Sequence, residues 1–219
     1  MLARVGQKAP NLQVSEWVQG MSTNIDQEYD KIVLVEVFQV NCPGCFLYGI
    51  PNAIEIYQEY ADEGVRVLGL ATAFEDFDKN TIDNLRMLAE TGQVIGDTKM
   101  VLEQYGQLDN DRLEYKIPFP LAMDQVDQNN GEPSQEAIMD IVNSQIPGFT
   151  SQPPAMQQSM LQRVREYLLS RKYSPATFDM YSLRGTPSTI LVDRKGVLRD
   201  VSFGQGANLR GMIQKLIRE

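Results

Sequence analysis

The chain contains two cysteines, Cys42 and Cys45, and the dipeptide Pro43-Gly44 separates them. Two thiols at this spacing can close into a disulfide and open again, so the pair is suited to redox chemistry. Paired cysteines also hold zinc, but a structural zinc site needs four ligands, and the sequence has no second cysteine pair and no histidine to complete one. The lack of histidine also excludes Ser-His and Cys-His catalysis.

A purely structural disulfide is the next alternative. Closing so short a loop removes little entropy from the unfolded chain, a stabilisation of roughly 2 kcal/mol. A chain of 219 residues can bury a sizeable core without such a link. A pair of inert core cysteines is a further alternative. We favour the redox interpretation over both.

The elements around the cysteines are expected to place Cys42 at the start of a helix. Residues 32–38 form a nearly continuous apolar run, which predicts a buried strand leading to the pair. An apolar stripe at helical spacing follows, and Gly64 ends it. This stripe consists of Phe46, Ile50, Ala53, Tyr57 and Tyr60. Pro43 suits the first helical position, and the free N–H groups of a helix N-terminus stabilise the thiolate of Cys42, which is the nucleophilic form.

The rest of the pattern predicts an α/β core that ends in a hairpin and a helix. The predicted elements are a strand at 65–71, helical segments between 80 and 105 broken near Gly92 and Gly96, a short strand at 119–123, strands at 187–192 and 197–203, and a helix at 209–217. Residues 124–133 are predicted as a polar loop.

A stretch of about residues 125–175 contains two helical patterns, at 134–145 and 155–172. Each is too short to enclose a core of its own, so we expect the stretch to form a helical cap on the same domain. Such a cap would either narrow access to Cys42 or serve only to stabilise the surface.

Charge and hydropathy argue against two classes of partner. The net charge of -9 disfavours the basic face that nucleic acids or anionic membranes require. No apolar run is long enough to span a bilayer. The opening segment lacks the apolar core of a signal peptide, so we expect a cytoplasmic protein.

Four features together make the sequence resemble the thioredoxin superfamily, and within it the TlpA-like and redoxin-domain proteins. They are the VGQKAP opening at 5–10, the junction of a buried strand with the CPGC motif, the RGTPST segment at 184–189, which looks like a cis-proline loop, and the VDRKG turn at 192–196. The resemblance implies an α/β thioredoxin-like fold, with a central mixed sheet flanked by helices. It also implies an N-terminal extension, a helical insertion at about 125–175 before the cis-proline strand, and a single domain over residues 1–219.

The resemblance also assigns roles to individual residues. By similarity, Cys42 is the attacking thiol, Cys45 is the resolving thiol, and Pro187 is a cis-proline beside the disulfide. The backbone of Thr186 would pair with an extended substrate. Glu36 occupies the place of a buried acid that moves protons to and from the second cysteine, and burial among apolar residues should make it easier to protonate. A structural acid paired with a basic side chain is the alternative for this residue.

The resemblance implies substrates and partners as well. We expect Pro43 and Gly44 to contact the substrate, which would be a protein or small-molecule disulfide or thiol. No cofactor and no metal are expected, and the electron donor cannot be named. No histidine or lysine stands beside the motif, so Cys42 should be less acidic than in a strong oxidase, which favours a reductant or a balanced exchanger.

Departures from the family pattern define the alternatives. Asn41 replaces the aromatic residue usual before the first cysteine, and the helix proline, Pro51, falls one residue later than in most relatives. A peroxiredoxin-like thiol peroxidase is the nearest alternative, but Gln39 occupies the place of its threonine. A non-enzymatic module that binds a partner or Cu(I) is the third, although related copper chaperones add a histidine that this chain lacks.

Overall fold

A computed structural model describes residues 2–129, 131–204 and 208–219, apart from the side chains of residues 144 and 145. The strands are β1 (Val14–Gln19), β2 (Ile32–Phe38), β3 (Val65–Ala71), β4 (Leu108–Asp109), β5 (Arg112–Leu113), β6 (Leu121–Asp124), β7 (Val126–Gln128), β8 (Tyr173–Pro175), β9 (Ser188–Val192) and β10 (Leu198–Phe203). The helices are α1 (Ile50–Tyr60), α2 (Ile82–Thr91), α3 (Gly96–Gln104), α4 (Gln135–Gln145), α5 (Pro154–Ser170), α6 (Ala176–Met180) and α7 (Leu209–Arg218). None of these helices is long and apolar enough to cross a membrane.

A six-stranded mixed sheet, flanked by helices, is the centre of the fold. Its strand order is β1-β6-β3-β2-β9-β10. The strand β2 runs parallel to β3 and antiparallel to β9, and β3 runs parallel to β6. The edge strands β1 and β10 are antiparallel to their neighbours. The predicted fold class, a thioredoxin-like α/β fold with a central mixed sheet, is confirmed.

The strand β2 is buried along its whole length because both faces of the sheet are covered. Ile32, Leu34 and Phe38 point toward one apolar cluster, which includes residues of α1 and α7. Val33, Val35 and Val37 point toward the other. Since side chains alternate along a strand, Glu36 lies on the first face, beneath the helix that follows the cysteines.

The predicted insertion, at about residues 125–175, forms a helical pair closed by a short ladder. The strands β7 and β8 pair antiparallel at its base, and β7 lies inside the segment that the sequence predicted as a loop. The helices α4 and α5 pack on each other around a small cluster of their own, Val142, Phe149 and Val164. Their bounds agree closely with the predicted helices. That the insertion belongs to one domain with the sheet stays a prediction.

Candidate active site: a disulfide between the first helix and a cis-proline loop

Cys42 and Cys45 are joined by a disulfide immediately after β2. The two sulfurs differ in accessibility, because Cys42 is half-buried whereas Cys45 is completely buried. The backbone N–H of Cys45 donates to Sγ of Cys42 at 3.2 Å. The same N–H donates to the carbonyl of Cys42 at 3.0 Å, because residues 43 and 44 already have helical conformation and form the first turn.

The helix after the cysteines begins with a π-helical segment, Cys45–Gly49, which continues directly into α1. In this segment the N–H of Ile50 donates to the carbonyl of Cys45, five residues back. A π turn accommodates one extra residue within a helix. The helix therefore remains continuous although Pro51 falls one residue later than the family pattern implies.

Pro51 follows the π turn and leaves one carbonyl without its helical donor. In the register set by Ile50, the residue at 51 would donate to the carbonyl of Phe46, but proline has no N–H. The hydroxyl of Tyr115 donates to that carbonyl at 3.1 Å. Burial raises the pKa of Tyr115 far above its ordinary value, so the hydroxyl keeps its proton and remains a donor.

We expect Tyr115→Phe to lower the free energy of unfolding by about 1–3 kcal/mol, because it leaves a carbonyl of the active-site helix unpaired. Urea unfolding monitored by circular dichroism measures this change. Tyr105→Phe is the matched control, since Tyr105 is exposed and should tolerate the same substitution with little loss. Equal stability of the two variants would contradict the assigned role of the Tyr115 hydroxyl.

The loop before β9 lies against both the disulfide and the helix. The bond between Thr186 and Pro187 is cis, as predicted. The carbonyl oxygen of Thr186 lies 3.7 Å from Sγ of Cys42. Pro187 packs on the π turn so closely that a Cβ placed at Gly49 would lie 2.7 Å from its Cβ. The predicted contact residues Pro43 and Gly44 are half-buried at the start of the helix, and Gly44 faces the Pro187 ring.

Glu36 is buried beneath the π turn, and 1 % of its surface is exposed. Its Oε1 has no hydrogen-bond partner among the described residues. Desolvation raises the pKa of this carboxyl well above its ordinary value of 4.5. No basic side chain pairs with it in the part of the chain described, which disfavours the structural ion pair considered from the sequence.

A cleft beside the first helix reaches Glu36 from the surface. It has a volume of about 530 Å³ and is lined by residues of α1, α7, β9 and the cis-proline loop. Gly49 lies between the cleft and the carboxyl, and a Cβ at this position would approach Oε1 to 2.3 Å. The absence of a side chain at Gly49 therefore leaves room for Glu36.

Three polar residues near the disulfide were not assigned to the site from the sequence. Gln39, Asn41 and Asn80 are all buried, although their side chains are amides. One signal in the sequence could have indicated two of them, because Gln39 and Asn41 depart from the family pattern. Within the described ranges, no group of three or more histidine, cysteine, aspartate and glutamate side chains is arranged to hold a metal ion.

Two solved structures are similar to this chain over nearly its full length. A crystal structure of a thioredoxin-like superfamily protein is similar over 98 % of this chain and 98 % of its own, with a TM-score of 0.58 and 25 % identity. The crystal structure of a thiol-disulfide isomerase from Corynebacterium glutamicum is similar over 96 % of this chain and 97 % of its own, with a TM-score of 0.58 and 28 % identity. No family model and no curated protein matches the sequence.

The sheet order, the CPGC disulfide at the start of a helix and the adjacent cis-proline define a thioredoxin-like thiol–disulfide oxidoreductase. The likeness to the two solved structures, which extends over nearly the full length of each, agrees with this class. The chain belongs to the thioredoxin superfamily.

Proposed function

We propose that the protein transfers electrons between its Cys42–Cys45 dithiol and protein or small-molecule disulfides, acting as a reductant or a balanced exchanger. The observation that carries this proposal is the asymmetry of the pair, in which a half-buried Cys42 lies at the helix start and Cys45 is completely buried behind it. Only an accessible sulfur can attack an external disulfide, and a buried one is reached only by its neighbour.

The reaction has two exchange steps. The thiolate of Cys42 attacks one sulfur of the substrate disulfide, whose S–S bond breaks, and one substrate thiol leaves. The thiolate of Cys45 then attacks Cys42 in the mixed disulfide, which forms the Cys42–Cys45 bond and releases the second substrate thiol. Two electrons have passed to the substrate, and a dithiol donor must return them.

Glu36 is proposed to move the proton of Cys45. The second step needs Cys45 as a thiolate, and a buried thiol loses its proton only to a nearby acceptor. Glu36 lies on the face of the sheet that Cys45 packs against, and its unpaired oxygen is free to exchange a proton. Its raised pKa makes this carboxylate a stronger proton acceptor than an ordinary glutamate.

The surroundings of Cys42 support the reducing direction. The N–H of Cys45 favours its thiolate, but the carbonyl of Thr186 at 3.7 Å can accept only from the protonated thiol. Asp76 accepts from the side chain of the preceding residue, Asn41, at 2.8 Å, which brings a negative charge near the thiol. Together these contacts should leave Cys42 only weakly acidic, and a weakly acidic thiol is a poor leaving group, which makes its disulfide harder to reduce.

The equilibrium potential of the Cys42–Cys45 couple tests this direction. We expect a potential of about -200 mV or below, measured against glutathione buffers by mass spectrometry of alkylated protein. A potential above about -150 mV, in the range of strong oxidases, would overturn the assignment as a reductant or balanced exchanger.

The asymmetry predicts unequal alkylation of the reduced protein. Iodoacetamide should modify Cys42 at least about tenfold faster than Cys45, because burial hinders access and keeps the resolving thiol protonated. Mass spectrometry of digested samples taken over time measures both rates. The urea-unfolded protein is the control, in which the two rates should converge. Equal rates in the folded protein would argue against the proposed roles.

A further inference from the structure

Buried amide side chains connect the two sides of the disulfide. Gln39 is 1 % exposed and Asn80 is 3 % exposed, so each depends on partners within the protein. Gln39 follows the central strand, whereas Asn80 belongs to the segment between β3 and α2. Both residues meet at one backbone group, the carbonyl of Glu75.

We call this set of hydrogen bonds the bridge. On one side of the disulfide it begins at the cis-proline loop. The hydroxyl of Thr186 donates to Oε1 of Gln39 at 3.1 Å. The Nε2 of Gln39 donates to the carbonyl of Glu75 at 3.3 Å. Gln39 thus uses both ends of its amide, one toward the residue before the cis-proline and one toward a separate loop.

On the second side, the bridge ends beside the attacking cysteine. The Nδ2 of Asn80 donates to the carbonyl of Glu75 at 3.0 Å. Its Oδ1 accepts from the backbone N–H of Asn41 at 2.8 Å, and Asn41 directly precedes Cys42. The peptide before Cys42 and the Thr186 hydroxyl are therefore linked through one continuous set of hydrogen bonds.

This bridge holds the Thr186 loop at a defined distance from the peptide before Cys42, which apolar packing alone would not do. Hydrogen bonds are directional, whereas burial of apolar surface is not. Gln39 directly follows a strand that is apolar except for Glu36, and it occupies a fully buried position where hydrophobic residues are common. Burying two amide side chains here costs desolvation free energy, so we interpret their role as fixing the geometry of the site.

We propose that Gln39 is a positioning residue that holds the Thr186 peptide at a fixed spacing from Cys42 and so favours extended polypeptide disulfides over small disulfides. The inference rests on the proposed function and on the role that the family resemblance implies for Thr186, whose backbone would pair with an extended substrate. An extended polypeptide needs that backbone in register with the sulfur that attacks it. A small disulfide has little backbone to pair with Thr186, so its reduction does not depend on this alignment.

Gln39→Met tests the proposal, because methionine keeps a similar length and volume but removes both hydrogen bonds. The measurements are kcat and KM for reduction of insulin and of oxidised glutathione by the full chain. We expect kcat/KM for insulin to fall about five- to tenfold, mainly through KM, which corresponds to the loss of one or two hydrogen bonds. The value for glutathione should change less than about twofold.

Thr186→Val supplies a second, independent variant that removes only the donor hydroxyl. It should lower the insulin-to-glutathione ratio in the same direction, and the double variant should be little worse than either single one, because both remove the same bond. It also keeps the proposal testable should Gln39→Met fold poorly. If the losses of kcat/KM for insulin were additive in the double variant, the two residues would not act through one hydrogen bond, and the proposal would be overturned.

Thr98→Val is the matched control. The Thr98 hydroxyl is buried and donates to the carbonyl of Val40 at 2.9 Å, so it supports the same strand end without a contact to Thr186. It should lower thermal stability and leave the substrate ratio unchanged. Equal losses on both substrates in Gln39→Met, or no loss on either, would reduce Gln39 to a structural residue. Failure of the unsubstituted protein to reduce either disulfide would instead overturn the proposed function.

Discussion

Replacement of Cys42 by serine should reduce catalysed disulfide exchange to the uncatalysed rate, a loss of at least about 10³-fold, as expected when a nucleophile is removed. A serine hydroxyl stays protonated at neutral pH and cannot form the mixed disulfide. Cys45 remains in this variant but is completely buried, so it cannot reach an external substrate. The measurement is reduction of oxidised glutathione by the reduced protein.

Cys45→Ser is the matched variant and should behave differently. It keeps the accessible sulfur at the helix start, so the first attack proceeds, but nothing resolves the product. The mixed disulfide should accumulate and appear as a mass increase that dithiothreitol removes. Exchange that survives in Cys42→Ser but disappears in Cys45→Ser would reverse the two roles.

The central strands could be predicted to the residue because their pattern is simple. Residues 32–38 and 65–71 are apolar runs interrupted only by Glu36 and Arg66, and they form the strands β2 and β3, which are buried on two faces. The strand β6 starts two residues later than the predicted 119–123, at Leu121, directly after Pro120. Proline cannot donate to a ladder, so it marks the strand boundary.

Several strands that the sequence did not reveal are very short or lie at an edge of the central sheet. Among the described strands, β1 pairs with β6 alone, and its exposed residues interrupt any regular alternation. The strands β7 and β8 are three residues each and pair across the whole insertion. Short edge strands carry too few residues for a periodic signal, and their partners are distant in sequence.

The residues of the candidate site also divide into those that a local sequence motif reveals and those that act through distant contacts. Cys42, Cys45 and the cis-proline belong to compact motifs, and each motif can be recognised without knowledge of the fold. Tyr115 and Asn80 act through hydrogen bonds to backbone groups far away in the chain, at Phe46 and Asn41. Such contacts leave no local pattern, because any polar residue on a loop would look alike in the sequence.

The buried carboxyl of Glu36 leads to the second large expected effect. Glu36→Gln keeps the shape of the side chain but cannot exchange a proton, so it should slow disulfide exchange at neutral pH by about 10²-fold, the lower range for general acid–base catalysis. The fold should remain, since no hydrogen bond of Glu36 Oε1 is lost. Mass spectrometry of samples quenched over time, at a range of pH, measures the rate.

The same substitution should raise stability at alkaline pH. The folded-state pKa of Glu36 lies above its ordinary value of 4.5, so the folded protein binds the proton more tightly than the unfolded chain. Its contribution to stability is therefore fully present below pH 4.5 and is lost as the pH rises through the folded pKa. Glu36→Gln removes this loss, so its advantage over the parent should grow with pH, to about 1 kcal/mol or more, the cost of an unpaired buried polar group.

Asp124→Asn separates proton relay from the general effect of neutralising a buried carboxyl. Asp124 is also 1 % exposed, and burial raises its pKa to about 6, but its oxygens are held by Thr72 and by the first N–H groups of α6. Its pH-dependent stability should change between about pH 4 and 6, while the exchange rate stays within about twofold. A hundredfold loss in both variants, or an unchanged rate in Glu36→Gln across pH, would leave Glu36 as a structural acid.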